Sequence, residues 1–177
     1  MKKFILPLLI IILSGTAFTP AQNTITRSAI TFKIKNLGIT TGGTIGGLQA
    51  SIQFNPASLA TSGIEASVDV NTINTDNSTR DEHLKSDEFF DAPHYQKISL
   101  KSVSFKHRSG NNYTGEFNLT IKDKTKLVEI PFTYTNKGST MGFTGSFKIN
   151  RLDYGVGSSS MVMSDDVIVS IDAEAVK

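Results

Sequence analysis

Tyr113-Thr114-Gly115-Glu116-Phe117-Asn118-Leu119-Thr120-Ile121 is followed by the polar turn Lys122-Asp123-Lys124, and then by Val128-Glu129-Ile130-Pro131-Phe132-Thr133-Tyr134. Each run alternates between two kinds of residue. Tyr113, Gly115, Phe117, Leu119 and Ile121 fall on one side, and Val128, Ile130, Phe132 and Tyr134 repeat the pattern. Successive side chains leave a strand on opposite faces, so this period predicts strands with one buried and one solvated face. A short polar turn between two such runs makes them antiparallel neighbours.

The same signature extends in both directions. Upstream lie Ile30, Phe32 and Ile34, then Leu48, Ala50, Ile52 and Phe54, then Ile64, Ala66, Val68 and Val70. Ile98 and Leu100 open another strand whose parity slips to Val103 and Phe105, which predicts a bulge near Lys101-Ser102. Downstream come Phe143, Gly145, Phe147 and Ile149, then Val167, Val169 and Ile171. The total is eight candidate strands. Asn55-Pro56, Ser109-Gly110-Asn111-Asn112 and Asn136-Lys137-Gly138 supply turn chemistry. Gly42, Gly43, Gly46 and Gly47 permit sharp bending of one strand. From Thr79 to Asp91 the alternation stops. Thr79 with Glu82 reads as a capping box, and Leu84, Phe89 and Phe90 form the only apolar face, so one short helix is expected near residues 79–91. An all-β chain of this kind closes into an up-and-down barrel or packs as a two-sheet sandwich. The alternation alone does not separate them.

The first residues have a different character. Met1-Lys2-Lys3 is basic, Phe4 to Leu13 is uncharged, and the small residues Ser14 to Ala17 follow. This layout predicts a signal peptide over 1–21, cleaved after Ala17 or Ala21, with 22–177 forming a single domain. Ten uncharged residues fall short of the ~20 that span a bilayer, so no transmembrane anchor is expected. The expected location is periplasmic or secreted. Without the two leader lysines the chain carries sixteen basic and sixteen acidic side chains, a balance that argues against nucleic acid as a partner. There is no cysteine, so disulfides, thiolate metal sites and cysteine nucleophiles are excluded.

Polar motifs point away from catalysis. There is no G-x-S-x-G elbow, and nothing fixes Ser158-Ser159-Ser160 relative to a histidine. His83, His94 and His107 are scattered without ligand spacing, and a two-carboxylate loop such as Asp165-Asp166 is common without a cation. No catalytic residue, no metal and no required cofactor are expected. Arg80, Asp81 and His83 suit either a ligand head group or a local clamp on the helix. Arg151 with Asp153 would pin a strand end as a bidentate pair or meet a ligand.

Three ordered blocks give the chain a family likeness. Asn74-Thr75, Arg80-Asp81, His83-Leu84-Lys85-Ser86 and Phe89-Phe90-Asp91 form the first. Leu119-Thr120-Ile121-Lys122 with Thr125-Lys126 is the second, and Ile149-Asn150-Arg151-Leu152-Asp153-Tyr154-Gly155 the third. Over roughly Ser28 to Val176 the sequence resembles the YceI-like family of bacterial periplasmic and secreted proteins. Asn36 stands where family members usually carry histidine. The resemblance implies an eight-stranded antiparallel lipocalin-like barrel holding a long apolar molecule, such as a polyisoprenoid or an isoprenoid quinone tail. It makes the interior a binding site. The lining would then be Ile30, Phe32, Ile34, Leu48, Ile52, Val68, Phe117, Leu119, Phe132, Phe143 and Phe147, with Leu84, Phe89 and Phe90 at a gate. Arg80, His83 and Arg151 are the candidate head-group contacts. Ala50, Ala66, Gly115 and Gly145 would leave room between the larger residues.

Burying a CH₂ group is worth about 0.8 kcal/mol, so a tail of about twenty carbons gains roughly 16 kcal/mol gross, before ordering costs. Affinity therefore needs no polar contact. The expected role is transport, storage or sequestration of a bound long-chain lipid, with a homodimer left open. The alternatives are a structural or adhesive sandwich with a filled core, or an enzyme acting on a bound lipid.

Overall fold

The computed structural model describes residues 22–177. The expected signal peptide over 1–21 lies outside the described residues. Eight strands follow in chain order: β1 (Ile25–Asn36), β2 (Ile39–Gln53), β3 (Gly63–Asn74), β4 (Lys97–Ser109), β5 (Asn112–Ile121), β6 (Lys124–Lys137), β7 (Thr140–Asn150) and β8 (Met163–Val176). Each pairs antiparallel with the next, and β8 returns to β1, so the sheet is a closed barrel. The sandwich alternative is thereby excluded. Closure gives each of the eight described strands a neighbour on both sides, which suits a cysteine-free chain with no covalent staple.

Register follows the alternation. The β5–β6 pair runs from Asn112↔Thr133 to Ile121↔Lys124 without a shift, which places Phe117 opposite Val128 on the inner face. The slip in β4 falls slightly later than expected, between Ser102 and Ser104. Val103 therefore points outward and is 56% exposed, while Phe105 returns to the core. The glycine-rich part of β2 bends as anticipated. Gly47 takes φ +67, and the β2–β3 register breaks between Thr44 and Gln49. A Cβ at Gly42 would collide with the Phe32 carbonyl oxygen, so β1 and β2 approach closely only because glycine stands there.

The helix departs from expectation at both ends. α1 spans Ser78–Lys85, and its N-cap is Asn77, whose side chain accepts from the Arg80 amide at 2.9 Å. Asparagine caps as well as threonine does, and Asn77 holds the extended conformation a cap needs, so Thr79 falls inside the first turn. Past Lys85 the chain continues in turns, with Phe90 N donating to Leu84 O and Asp91 N to Ser86 O. Phe89 and Phe90 thus lie beyond the helix.

The two barrel ends differ. At the end formed by the start of β5 and the finish of β6, Phe54 sits among five aromatic rings. Its centroid lies 5.3 Å from Phe105, 5.2 Å from Tyr113, 5.6 Å from Phe132, 4.9 Å from Tyr134 and 5.7 Å from Phe143. Most of these contacts are edge-to-face, the arrangement aromatic quadrupoles favour. This cluster fills that end. The opposite end carries α1 and a single 3₁₀ turn, Arg151–Tyr154, between β7 and β8.

Tyr154 in that turn is buried, and burial together with the neighbouring Asp153 charge pushes its phenol up to about 12. A raised folded-state value means stability is complete below the unfolded value near 10 and is lost as pH rises toward 12. The denaturation midpoint is expected to fall across that window, by on the order of 2 kcal/mol in stability. The Tyr154→Phe variant should lack this part of the slope.

Candidate functional site

The barrel interior between α1 and the aromatic cluster holds a cavity of about 490 Å³. That lies within the range of ordinary small-molecule sites, which run from about 300 to 1,000 Å³. Its walls are the inward residues of all eight strands except those spent on the aromatic end. Ile30, Phe32 and Ile34 of β1 border it, with Leu48 and Ile52 of β2 and Val68 of β3. Phe117 and Leu119 of β5, Phe132 of β6, and Phe143 and Phe147 of β7 complete the expected set, with Leu84, Phe89 and Phe90 at the α1 end.

The small residues divide. Ala50, Ala66 and Gly145 face the space. Gly115 does not, because the Phe117 and Phe105 rings occupy the volume its side chain would take. Phe132 and Phe143 belong to both regions and form the floor, and the cavity reaches Ile25 and Ala175 beside them.

At the other end the cavity is bordered by Asn36 and Thr41 of the β1–β2 hairpin, by Thr75, Arg80 and His83, and by Met163 at the start of β8. Thr75 and Arg80 are engaged with one another and with Asp81. Arg80 Nε donates to Thr75 Oγ1 at 2.8 Å and its Nη2 to Thr75 O at 2.6 Å. Asp81 Oδ1 accepts from both the amide and the hydroxyl of Thr75. Arg80 and Asp81 therefore clamp the end of β3 to α1. Thr75 is the buried centre of this clamp. Its only sequence signal was its presence in the family block. His83 Nε2 lies 2.9 Å from Glu88 Oε2, and its ring meets Phe89 edge-on with centroids 4.9 Å apart.

Arg151 does not pair with Asp153. Its side chain is 4% exposed and donates to Val156 O at 2.9 Å, Ser158 O at 2.8 Å, Ser164 O at 3.0 Å and Asp165 Oδ1 at 2.9 Å. A planar guanidinium can serve several acceptors set around it, and here it ties the β7–β8 loop into one piece. Asp153 sits inside the 3₁₀ turn, while Asp165 sits on the incoming strand where the guanidinium points. Asp166 pairs with Lys148 at 2.8 Å. The fixed loop also meets the segment after α1, since Gly157 N donates to Glu88 O at 3.0 Å and the Phe89 ring packs where a Cβ of Gly157 would lie. Phe89 thus spans from α1 to the β7–β8 loop at the mouth. His107 is exposed beside the β4–β5 turn, with Nε2 2.9 Å from Gly110 O and its ring leaning on Tyr113 at the far end.

Among the described residues no group of three or more His, Cys, Asp or Glu is arranged to hold a metal ion, and no helix is long and apolar enough to cross a membrane.

The arrangement has counterparts. A family model described as YceI-like domain matches residues 22–175. A UPF0312 protein of Pseudomonas fluorescens is 30% identical over 161 residues, covering 84% of this chain and 81% of that protein. Among solved structures, BcnA of Burkholderia cenocepacia superposes with TM-score 0.79 at 25% identity, over 84% of this chain and 96% of that one. A polyisoprenoid binding domain from Saccharophagus degradans, implicated in plant cell wall breakdown, superposes with TM-score 0.71. It is 14% identical, over 89% of this chain and 99% of that one, a likeness of fold.

Proposed function

Because the chain belongs to the YceI-like family, we propose that it is an exported carrier that holds one long apolar chain, a polyisoprenoid, an isoprenoid quinone tail or a similar amphiphile, for transport, storage or sequestration. The observation that carries this reading is the unfilled apolar interior. The inward side chains of a barrel this size can meet and fill it, yet here they surround about 490 Å³. Transfer of a flexible chain from water into such a space is driven by area alone.

The mouth supplies the selective part. Arg80 borders the cavity and has no partner for Nη1 among the described residues, so one guanidinium nitrogen is free for a polar head. His83 stands beside it. Arg151 also borders the cavity, but its donors are committed to the loop, and we assign it to support of the mouth. The reading is of binding without turnover, in a periplasmic or extracellular setting after removal of residues 1–21.

The test is organic extraction of the protein as purified, followed by mass spectrometry, with displacement of a fluorescent long-chain probe as the second measure. A long-chain amphiphile present near one per protein is the expected result. No extractable chain together with no displacement by any long-chain ligand would overturn the proposal.

A further inference from the structure

Exposed aliphatic side chains gather on one sector of the mouth. Leu37 is 72% exposed, Ile39 71%, Met161 104% and Val162 52%. Leu37 stands in the β1–β2 turn and Ile39 opens β2, while Met161 and Val162 end the β7–β8 loop. The two tips are joined, because Leu37 N donates to Val162 O at 2.8 Å. Single exposed aliphatics such as Leu127 on the outer wall are ordinary, but a cluster at one site marks an interaction surface. Leu37 is also held in the left-handed region at φ +53, followed by Gly38 at +77. Such a turn favours asparagine or glycine at its first position, so leucine sits there against local preference and exposed to water.

Below the tip, Lys33 and Lys35 point outward from β1 with no carboxylate partner among the described residues. Asp165 and Asp166, on the part of β8 that pairs with this end of β1, are taken by Arg151 and Lys148. Asn36 and Met163, which neighbour the tips in sequence, border the cavity.

We propose that this sector docks on an anionic lipid bilayer, with Leu37, Ile39, Met161 and Val162 entering the interface and Lys33 and Lys35 meeting the head groups. The inference rests on the carrier reading, since it sets the mouth against the phase in which a long-chain ligand resides. The occupant follows from the observations. Apolar tips beside free cations match an apolar layer bounded by negative charge, and the tips are continuous with the rim of an apolar cavity.

The experiment is flotation of residues 22–177 with vesicles of phosphatidylcholine alone or of an equal mixture with phosphatidylglycerol. Binding is expected to favour the mixture. The Leu37→Asn/Met161→Ser double variant keeps the turn, because asparagine suits that backbone, and is expected to bind at least about tenfold more weakly. Lys33→Gln/Lys35→Gln should erase the preference for phosphatidylglycerol, and Leu127→Ser, on the outer wall, should bind as the parent does. Undiminished vesicle binding by the double variant would overturn the proposal. So would failure of the parent to bind, including the case where it self-associates through the same residues. Loading is read separately with a fluorescent prenyl probe delivered from ethanol. Vesicle binding without loading would sink the carrier reading while supporting the docking surface, and loading without vesicle binding would do the reverse.

Discussion

Ala66→Phe is expected to empty the protein of lipid while leaving the barrel folded. Ala66 lies on β3, paired with Ala50 on one side and Leu100 on the other, and it faces the cavity. A phenyl ring projected from that position takes the space a chain would occupy and adds no charge or unpaired polar atom. If the space is otherwise empty, the ring gains contacts there, because cavity volume itself carries a cost of about 24 cal/mol per Å³. Thermal stability should therefore hold or rise, while extractable lipid falls to less than about a tenth of the parent level, a difference of about 1.4 kcal/mol or more in binding. Ala66→Leu should give an intermediate loss. Retention of lipid at the parent level by the Phe variant would show that the chain binds elsewhere. A large loss of stability would show that the space is less open than its volume indicates.

Arg151→Met is expected to cost stability first and selectivity second. The guanidinium is the shared donor for three carbonyls and one carboxylate across the β7–β8 loop. Methionine fills a similar volume but leaves those acceptors without their donor, and removal of one partner from a buried ion pair typically costs about 3–5 kcal/mol. Asp165 is partly exposed and regains water, which places the expectation near the lower figure. For a domain of this size that corresponds to a fall in melting temperature of roughly 10 °C. Arg151→Lys should recover only part, since an ammonium cannot reach several acceptors spread around a plane. If Arg151 were chiefly a head-group contact, both variants would melt like the parent and differ only in ligand preference. Calorimetry beside a displacement assay separates the two cases.

The backbone plan was legible because one inner face is buried along every strand. Where Phe117, Leu119 and Ile121 alternate with Glu116, Asn118 and Thr120, a shift of one residue would turn the apolar set outward, so register is strongly fixed. The inward stripes therefore named the cavity walls in advance. Pattern did not say that the walls would stand apart, nor that Phe54 would gather five rings and fill one end, because alternation gives the direction of a side chain and not its distance from those opposite. Gly115 shows the same limit: its small size is spent on Phe105 and Phe117 rather than on open volume. The polar residues were the least legible. Arg151 was expected beside Asp153 and found Asp165, fourteen residues away in sequence, because the loop folds back across the turn. Thr75, one hydroxyl serving both Arg80 and Asp81, carries no periodic signal at all.

The aromatic stopper around Phe54 gives the vessel a polarity. On the carrier reading, a threadlike cargo entering from the α1 end would meet these rings greasy end first, so each loaded copy would carry it in the same sense with the water-loving terminus at the rim. The occupant would then leave by backing out along its own track, and a receiving protein or bilayer would always be offered the same chemical face.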